Sequence, residues 1–181
     1  MQIESPVRKA ERRLRDVVND TSIQDRLMGD SHRWRQLCSS MDAIGDTELA
    51  VAAYLTSTVG DGEPGKLYLQ TYGLLQVLFV QQDAVKHAAE AIDLPYSPPV
   101  SLAAIRDIRN NASGHPTERG GSRSEWFGIV RTSLSSKGFT LYSFDSERPD
   151  NHQSVQLLEL IETQRAAVVD AIKQMIAHLG K

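Results

Sequence analysis

Residues Lys66–Ile92 read KLYLQTYGLLQVLFVQQDAVKHAAEAI, and this stretch decides the fold class. Leu67, Leu69, Tyr72, Leu74, Leu75, Leu78, Phe79, Val80 and Val85 point in too many directions for one stripe of a helix. A helix that is apolar on most faces is either central to a bundle or shared with a partner chain. Tyr68, Tyr72 and Phe79 fall at helical spacing and read as core. The most apolar part, Leu74 to Val80, is too short to span a bilayer.

Working outward, Gly60, Asp61, Gly62, Glu63, Pro64 and Gly65 form a breaker before this helix. Upstream, a helix is expected from Ser31 to Ser57. Its apolar line is Trp34, Leu37, Met41, Ile44, Val51 and Leu55, with Glu48 on the same line. A first helix is expected from Pro6 to Val18, with Ser5 as N-cap and Pro6 at its first position. Downstream, Pro95, Pro98 and Pro99 end the central segment, and a short helix follows from Leu102 to Ser113, capped by Ser101. Glu125–Leu134 and Phe139–Phe144 are rich in aromatic and β-branched residues and flank Ser135-Ser136-Lys137-Gly138, a hairpin pattern. A last helix runs from Ser154 to His178. Leu158, Ile161, Val168, Ile172, Met175 and Leu179 line it, and Arg165 is the polar member of the line. The pattern predicts a mainly α protein, an antiparallel helical bundle of about five helices with a small β-hairpin insertion, forming one domain over residues 1–181.

The formal net charge is −3, so the chain carries no global excess of cations for a polyanion. Its distribution is uneven. Residues 36–64 contain Asp42, Asp46, Glu48, Asp61 and Glu63 but no Lys or Arg, whereas residues 106–131 hold Arg106, Arg109, Arg119, Arg123 and Arg131. Cys38 is alone, which excludes an internal disulfide and a zinc site built from cysteines. The N-terminal residues lack the apolar core of a signal peptide, and a cytoplasmic protein without a membrane segment is expected.

The short helix carries the chemistry. In LAAIRDIRNNASGHPT, residues 102–117, the apolar stripe is Leu102, Ile105, Ile108 and Ala112, and Arg109 falls on it. A guanidinium directed toward a core is costly unless it meets an acid, a groove or a ligand. Gly114 reads as a left-handed C-cap, and Pro116 pushes His115 out of the α region. An imidazole just past a helix C-terminus is favoured in its protonated form by the dipole. Six helical steps separate Arg109 from His115 by a 240° rotation, so the two converge only if the helix ends first or a partner chain supplies one of them.

Arg109-Asn110-Asn111-Ala112-Ser113-Gly114-His115 resembles the signature of the HEPN superfamily: an Arg, usually followed by a polar residue, and a His four to six residues further on. The resemblance covers about residues 66–181, with the first 65 residues less securely part of the family core. It implies a metal-independent endoribonuclease that works as a homodimer, a toxin or defence effector with RNA as substrate. An antitoxin or regulatory protein is the implied partner, and no metal or cofactor is implied. Arg109 would stabilise charge on phosphorus, His115 would move the proton and Asn110 would orient them. Arg106 and Arg131 would contact substrate, and Glu48 and Ser113 would support the site.

Plainer readings remain open. Arg109 can pair with a buried acid, Glu48 being available, and Glu48 is expected to meet Arg106 or Arg109. His115 can simply cap carbonyls, while His32, His87, His152 and His178 show no ligand spacing. The alternative function is a non-catalytic dimeric module that binds nucleotide or a partner protein.

Overall fold

The computed structural model describes residues 4–60, 62–114, 125–145 and 147–180. Its elements are α1 (Pro6–Val18), α2 (Thr21–Met28), α3 (Ser31–Leu55), α4 (Pro64–Ala91), α5 (Val100–Arg109), a π-helical turn (Asn110–Gly114), β1 (Trp126–Ile129), a 3-10 turn (Arg131–Ser133), β2 (Gly138–Asp145), β3 (Arg148–Gln156) and α6 (Leu157–Leu179). The protein is mainly α with a small antiparallel β insertion, as the sequence pattern implies. Among the described residues no helix is long and apolar enough to cross a membrane.

Side-chain chemistry at the ends sets the helices. Ser5 caps α1 by accepting from the Arg8 amide at 3.2 Å, with Pro6 in the first turn, where its missing N–H costs nothing. Asp30 caps α3 by accepting from the amides of His32 and Arg33 at 3.0 and 3.1 Å. α4 ends where Asp93 takes a φ of 55° and the Leu94 amide reaches back to the Ala89 carbonyl at 3.0 Å, closing the last turn.

α3 and α4 run antiparallel. Their bonded pairs step in opposite directions along the two helices: Ser57 with Gln70, Glu48 with Gln81, the Gln36 amide with the His87 carbonyl, and Arg33 with Asp93. α6 lies along α4 in the same sense, since Gln164 bonds the Leu78–Gln82 level and His178 bonds the Ile92 carbonyl. The chain crosses between them through α5 and the sheet.

Two apolar cores result. One joins α1, the first half of α3 and the second halves of α4 and α6, around Leu14, Ile44, Val85 and Ile172. The other joins the end of α3, the first halves of α4 and α6, α5 and the sheet, around Leu75, Leu102, Phe139 and Ile161. A polar layer separates them at one level on three helices: Glu48 on α3, Gln81 and Gln82 on α4, Gln164 and Arg165 on α6.

Several sequence expectations need correction. α4 is not buried on every face: Leu69, Tyr72 and Val80 are 74, 38 and 38% exposed. Leu158 also faces outward, since α6 starts at Leu157 and the preceding Ser154–Gln156 belong to β3. The hairpin is really a three-stranded sheet in the order β1-β2-β3. β1 pairs with β2 from Trp126–Phe144 to Ile129–Leu141, as the pattern around residues 135–138 implies, and β3 adds an outer strand. α2 is a further helix whose residues are all at least partly exposed.

Candidate functional site

α5 buries Leu102, Ile105 and Ile108 against the second core, and Ala112 in the following turn continues that stripe. Pro99, not Ser101, occupies the N-cap position. α-Helical geometry stops at Arg109, and residues 110–114 widen into a π-helical turn, a form often found at functional sites. Ser113 supports this turn, its hydroxyl donating to the Arg109 carbonyl at 3.1 Å.

Arg109 therefore leaves the helix at the transition. Its Nε and Nη2 both donate to Gln76 Oε1 on α4, at 3.2 and 2.7 Å, and its Nη1 donates to Asn110 Oδ1 at 2.9 Å. The guanidinium carbon sits 4.4 Å from the centroid of the Phe79 ring. The side chain is neither pointed into solvent nor sunk in the core, which reconciles its place on an apolar stripe with its charge.

Gly114 completes the cradle, though not as a left-handed cap. Its φ is ordinary, but a Cβ there would lie 2.8 Å from Arg109 Nη1 and 3.5 Å from Asn110 Oδ1. Glycine is needed because the chain passes directly over the guanidinium.

Arg106 shares the Phe79 ring at 4.3 Å, yet differs in charge balance. Its Nη2 pairs with Asp83 Oδ1 at 2.6 Å and its Nε donates to Gln82 Oε1 at 3.3 Å. Arg109 touches no acid among the described residues. Two neutral amides fix its direction without neutralising it, so its charge stays available at a half-exposed position. Among the described residues, three of the five guanidinium N–H groups are engaged.

Glu48 is buried as expected, at 1% exposure, but its partner is neither Arg106 nor Arg109. Arg165 on α6 donates to Glu48 Oε1 through both Nε, at 2.7 Å, and Nη2. The reason is register: Glu48 and Arg165 meet in the polar layer, while α5 packs beside α4 further on. The pair forms one wall of a cavity of about 690 Å³, lined also by Arg8, Arg12, Leu49 and Leu55. This cavity does not include Arg109.

The remaining sequence candidates fall as follows. Arg131 opens the 3-10 turn, exposed, with no bond to Arg109 among the described residues. His115, with Arg119 and Arg123, lies outside the described residues. Phe79 is half-buried beneath the two guanidinium groups, a role that its helical spacing did not reveal. Sequence reasoning also missed Gln76; the signal was a lone amide amid the most apolar run of α4. Among the described residues no group of three or more His, Cys, Asp and Glu could hold a metal ion. Compared with family models, curated proteins and solved structures, the chain matches none.

Proposed function

We propose that this protein is a metal-independent endoribonuclease of the HEPN type, a toxin or defence effector, in which Arg109, Asn110 and His115 carry the chemistry. The observation that supports this most is the Arg109 cradle: a guanidinium held by neutral amides, stacked on Phe79 and meeting no acid among the described residues. Such a group suits the extra negative charge on phosphorus when a ribose 2′-hydroxyl attacks it. The P–O bond to the 5′-oxygen breaks as the 2′-oxygen bond forms. His115 moves the proton between them, and a 2′,3′-cyclic phosphate remains. Arg106, neutralised by Asp83, serves substrate less directly than Arg109.

A homodimer belongs to the same proposal. Leu69, Tyr72 and Val80 form an exposed apolar stripe on α4, interrupted by Gln76, the residue that holds Arg109. A second copy seated on that stripe would bring two Arg109 groups toward one groove. A monomer by light scattering across micromolar concentrations would count against it.

The test is incubation of purified protein with mixed RNA in EDTA, beside an Arg109→Ala, His115→Ala double variant. The parent should cut and the double variant should lose at least ~100-fold. Equal cutting by both would place the activity elsewhere. No cutting by the parent, with or without divalent metal, would favour a binding module that uses the same charge to hold a nucleotide or a partner protein.

A further inference from the structure

The polar layer between the two cores has a direction, and its far end reaches the candidate site. Glu48 Oε2 accepts from Gln81 Nε2 at 3.5 Å, the longest link. Gln81 Oε1 accepts from Gln164 Nε2 at 3.0 Å, and the same Nε2 donates to the Leu78 carbonyl at 2.7 Å. Gln164 Oε1 accepts from Gln82 Nε2 at 2.9 Å. Gln82 Oε1 accepts from Arg106 Nε at 3.3 Å. Every amide presents its NH2 toward Glu48 and its oxygen toward Arg106.

That orientation is forced from both ends. A carboxylate only accepts and a guanidinium only donates, so each amide between them has one permitted sense. Turning one amide alone would set donor against donor, or acceptor against acceptor, in a layer shielded from water, and each such mismatch is costly. Gln81, Gln82 and Gln164 are all buried. We infer that Glu48 is a positioning residue for Arg106, acting through this relay of three glutamines. Arg106 in turn shares the Phe79 ring with Arg109, so the relay ends beside the ring on which Arg109 also rests.

The consequence is specific. In Glu48→Gln the new amide keeps its oxygen toward Arg165 and turns its NH2 toward Gln81. Gln81 must then reverse, which sets its NH2 against that of Gln164, whose sense is also held by the Leu78 carbonyl. Gln164 then has no orientation that satisfies both neighbours, and the mismatch displaces Gln82, the acceptor of Arg106 Nε. The bond from Arg106 to Gln82 is thereby disturbed although the substituted residue does not touch Arg106. Gln164→Met interrupts the relay at its middle and leaves the Glu48–Arg165 pair in place.

The experiment uses the full chain, labelled with nitrogen-15, and follows the Arg106 Nε–H resonance, assigned by its loss in Arg106→Lys. Both Glu48→Gln and Gln164→Met should shift this resonance and speed its exchange with water at least ~10-fold. The double variant should do no more than either alone, since both changes act on one connection. Val168→Ala, an apolar change in the other core, should leave the resonance in place although it also lowers stability. An Arg106 resonance unchanged in either folded variant would overturn the inference, and Gln164→Met carries the test if Glu48→Gln does not fold. The link to catalysis rests on the proposed function and is read separately. In a protein that cuts RNA, Glu48→Gln should lower kcat several-fold with little change in KM, and equal loss in Val168→Ala would argue against a positioning role. A protein that cuts no RNA defeats the proposed function and leaves the resonance result standing.

Discussion

Gly114→Ala separates the role of Arg109 from the stability of the fold. The added Cβ would lie 2.8 Å from Arg109 Nη1, and 3.5 Å from both Arg109 Cζ and Asn110 Oδ1. Comfortable contact begins near ~3.5 Å, so the guanidinium must retreat by roughly 0.7 Å. The backbone needs no change, because Gly114 does not use a left-handed φ. Two stability terms then oppose each other. Replacing a helical glycine by alanine gains about 0.5–1 kcal/mol. Weakening the Arg109–Asn110 bond, 2.9 Å in the parent, costs about 1 kcal/mol. The sum is within about 1 kcal/mol of zero, and Tm should move by no more than about 4 °C. Under the proposed function the cradle is more sensitive: if Arg109 stabilises charge on phosphorus, a displacement approaching ~1 Å costs about 100-fold in rate. The assay pairs a thermal melt with RNA cleavage in EDTA and the Arg109 Nε–H resonance. The expected result is a nearly unchanged melt, a shifted resonance and cleavage reduced by about 100-fold. A variant with the parent's Arg109 resonance and rate would refute the claim that Gly114 is there to admit the guanidinium. A lost fold would refute the claim that only a flexible side chain has to yield.

Glu48→Ala strands Arg165 beside the polar layer and should cost about 3–5 kcal/mol in denaturant unfolding, far more than any of the exposed pairs such as Lys173–Asp170. Gly138→Ala would bring a Cβ to 2.1 Å from the Val155 backbone oxygen, which cannot yield as a side chain can, so the sheet should be lost or destabilised by more than ~2 kcal/mol. Gly73→Ala on α4 meets nothing within 4 Å and should raise stability by about 0.5–1 kcal/mol, measured in the same unfolding series. The cap carboxylates predict an acid limit: the Ser22 side chain, then backbone amides, holds Asp20 below its ordinary pKa, and the Arg33 amide chiefly does so for Asp30. Their contribution is complete above the unfolded value of about 3.9 and is lost as pH falls through the depressed folded values, so amide protection at the starts of α2 and α3 should fail first in an acid titration.

The helices with an apolar line were legible because burial writes its period into the sequence. α3 and α6 each repeat at three and four residues, α4 is apolar on most faces over residues 66–92, and α1 announces its start with Ser5 and Pro6. α2 buries no residue fully, so its existence rests on the Asp20 cap and on the Asp30 cap that follows it, and periodicity says nothing about it. β3 reads RPDNHQSVQ, a sequence with little strand propensity. It forms because β2 offers an open edge and because one residue, Val155, reaches the core, while Pro149 suits an outer strand.

The site was half legible for a related reason. A cation on an apolar stripe marks Arg109 without showing what holds it. Gln76 lies 33 residues earlier on another helix, and only the packing of α4 against α5 brings the two together. Glu48 shows the same limit more sharply. Its place on an apolar line implies burial, which the structure shows, but the cations clustered on α5 point away from its partner on α6. Arg165 is the better candidate from the sequence alone, since it is the one polar member of its own apolar line. A charge that interrupts one buried stripe needs a partner at the same depth, and an opposite charge interrupting a second stripe is the side chain already placed at that depth. The three glutamines extend the argument: once a carboxylate and a guanidinium enter the layer between two cores, the neighbours that touch them must be able to donate on one side and accept on the other, and glutamine does both.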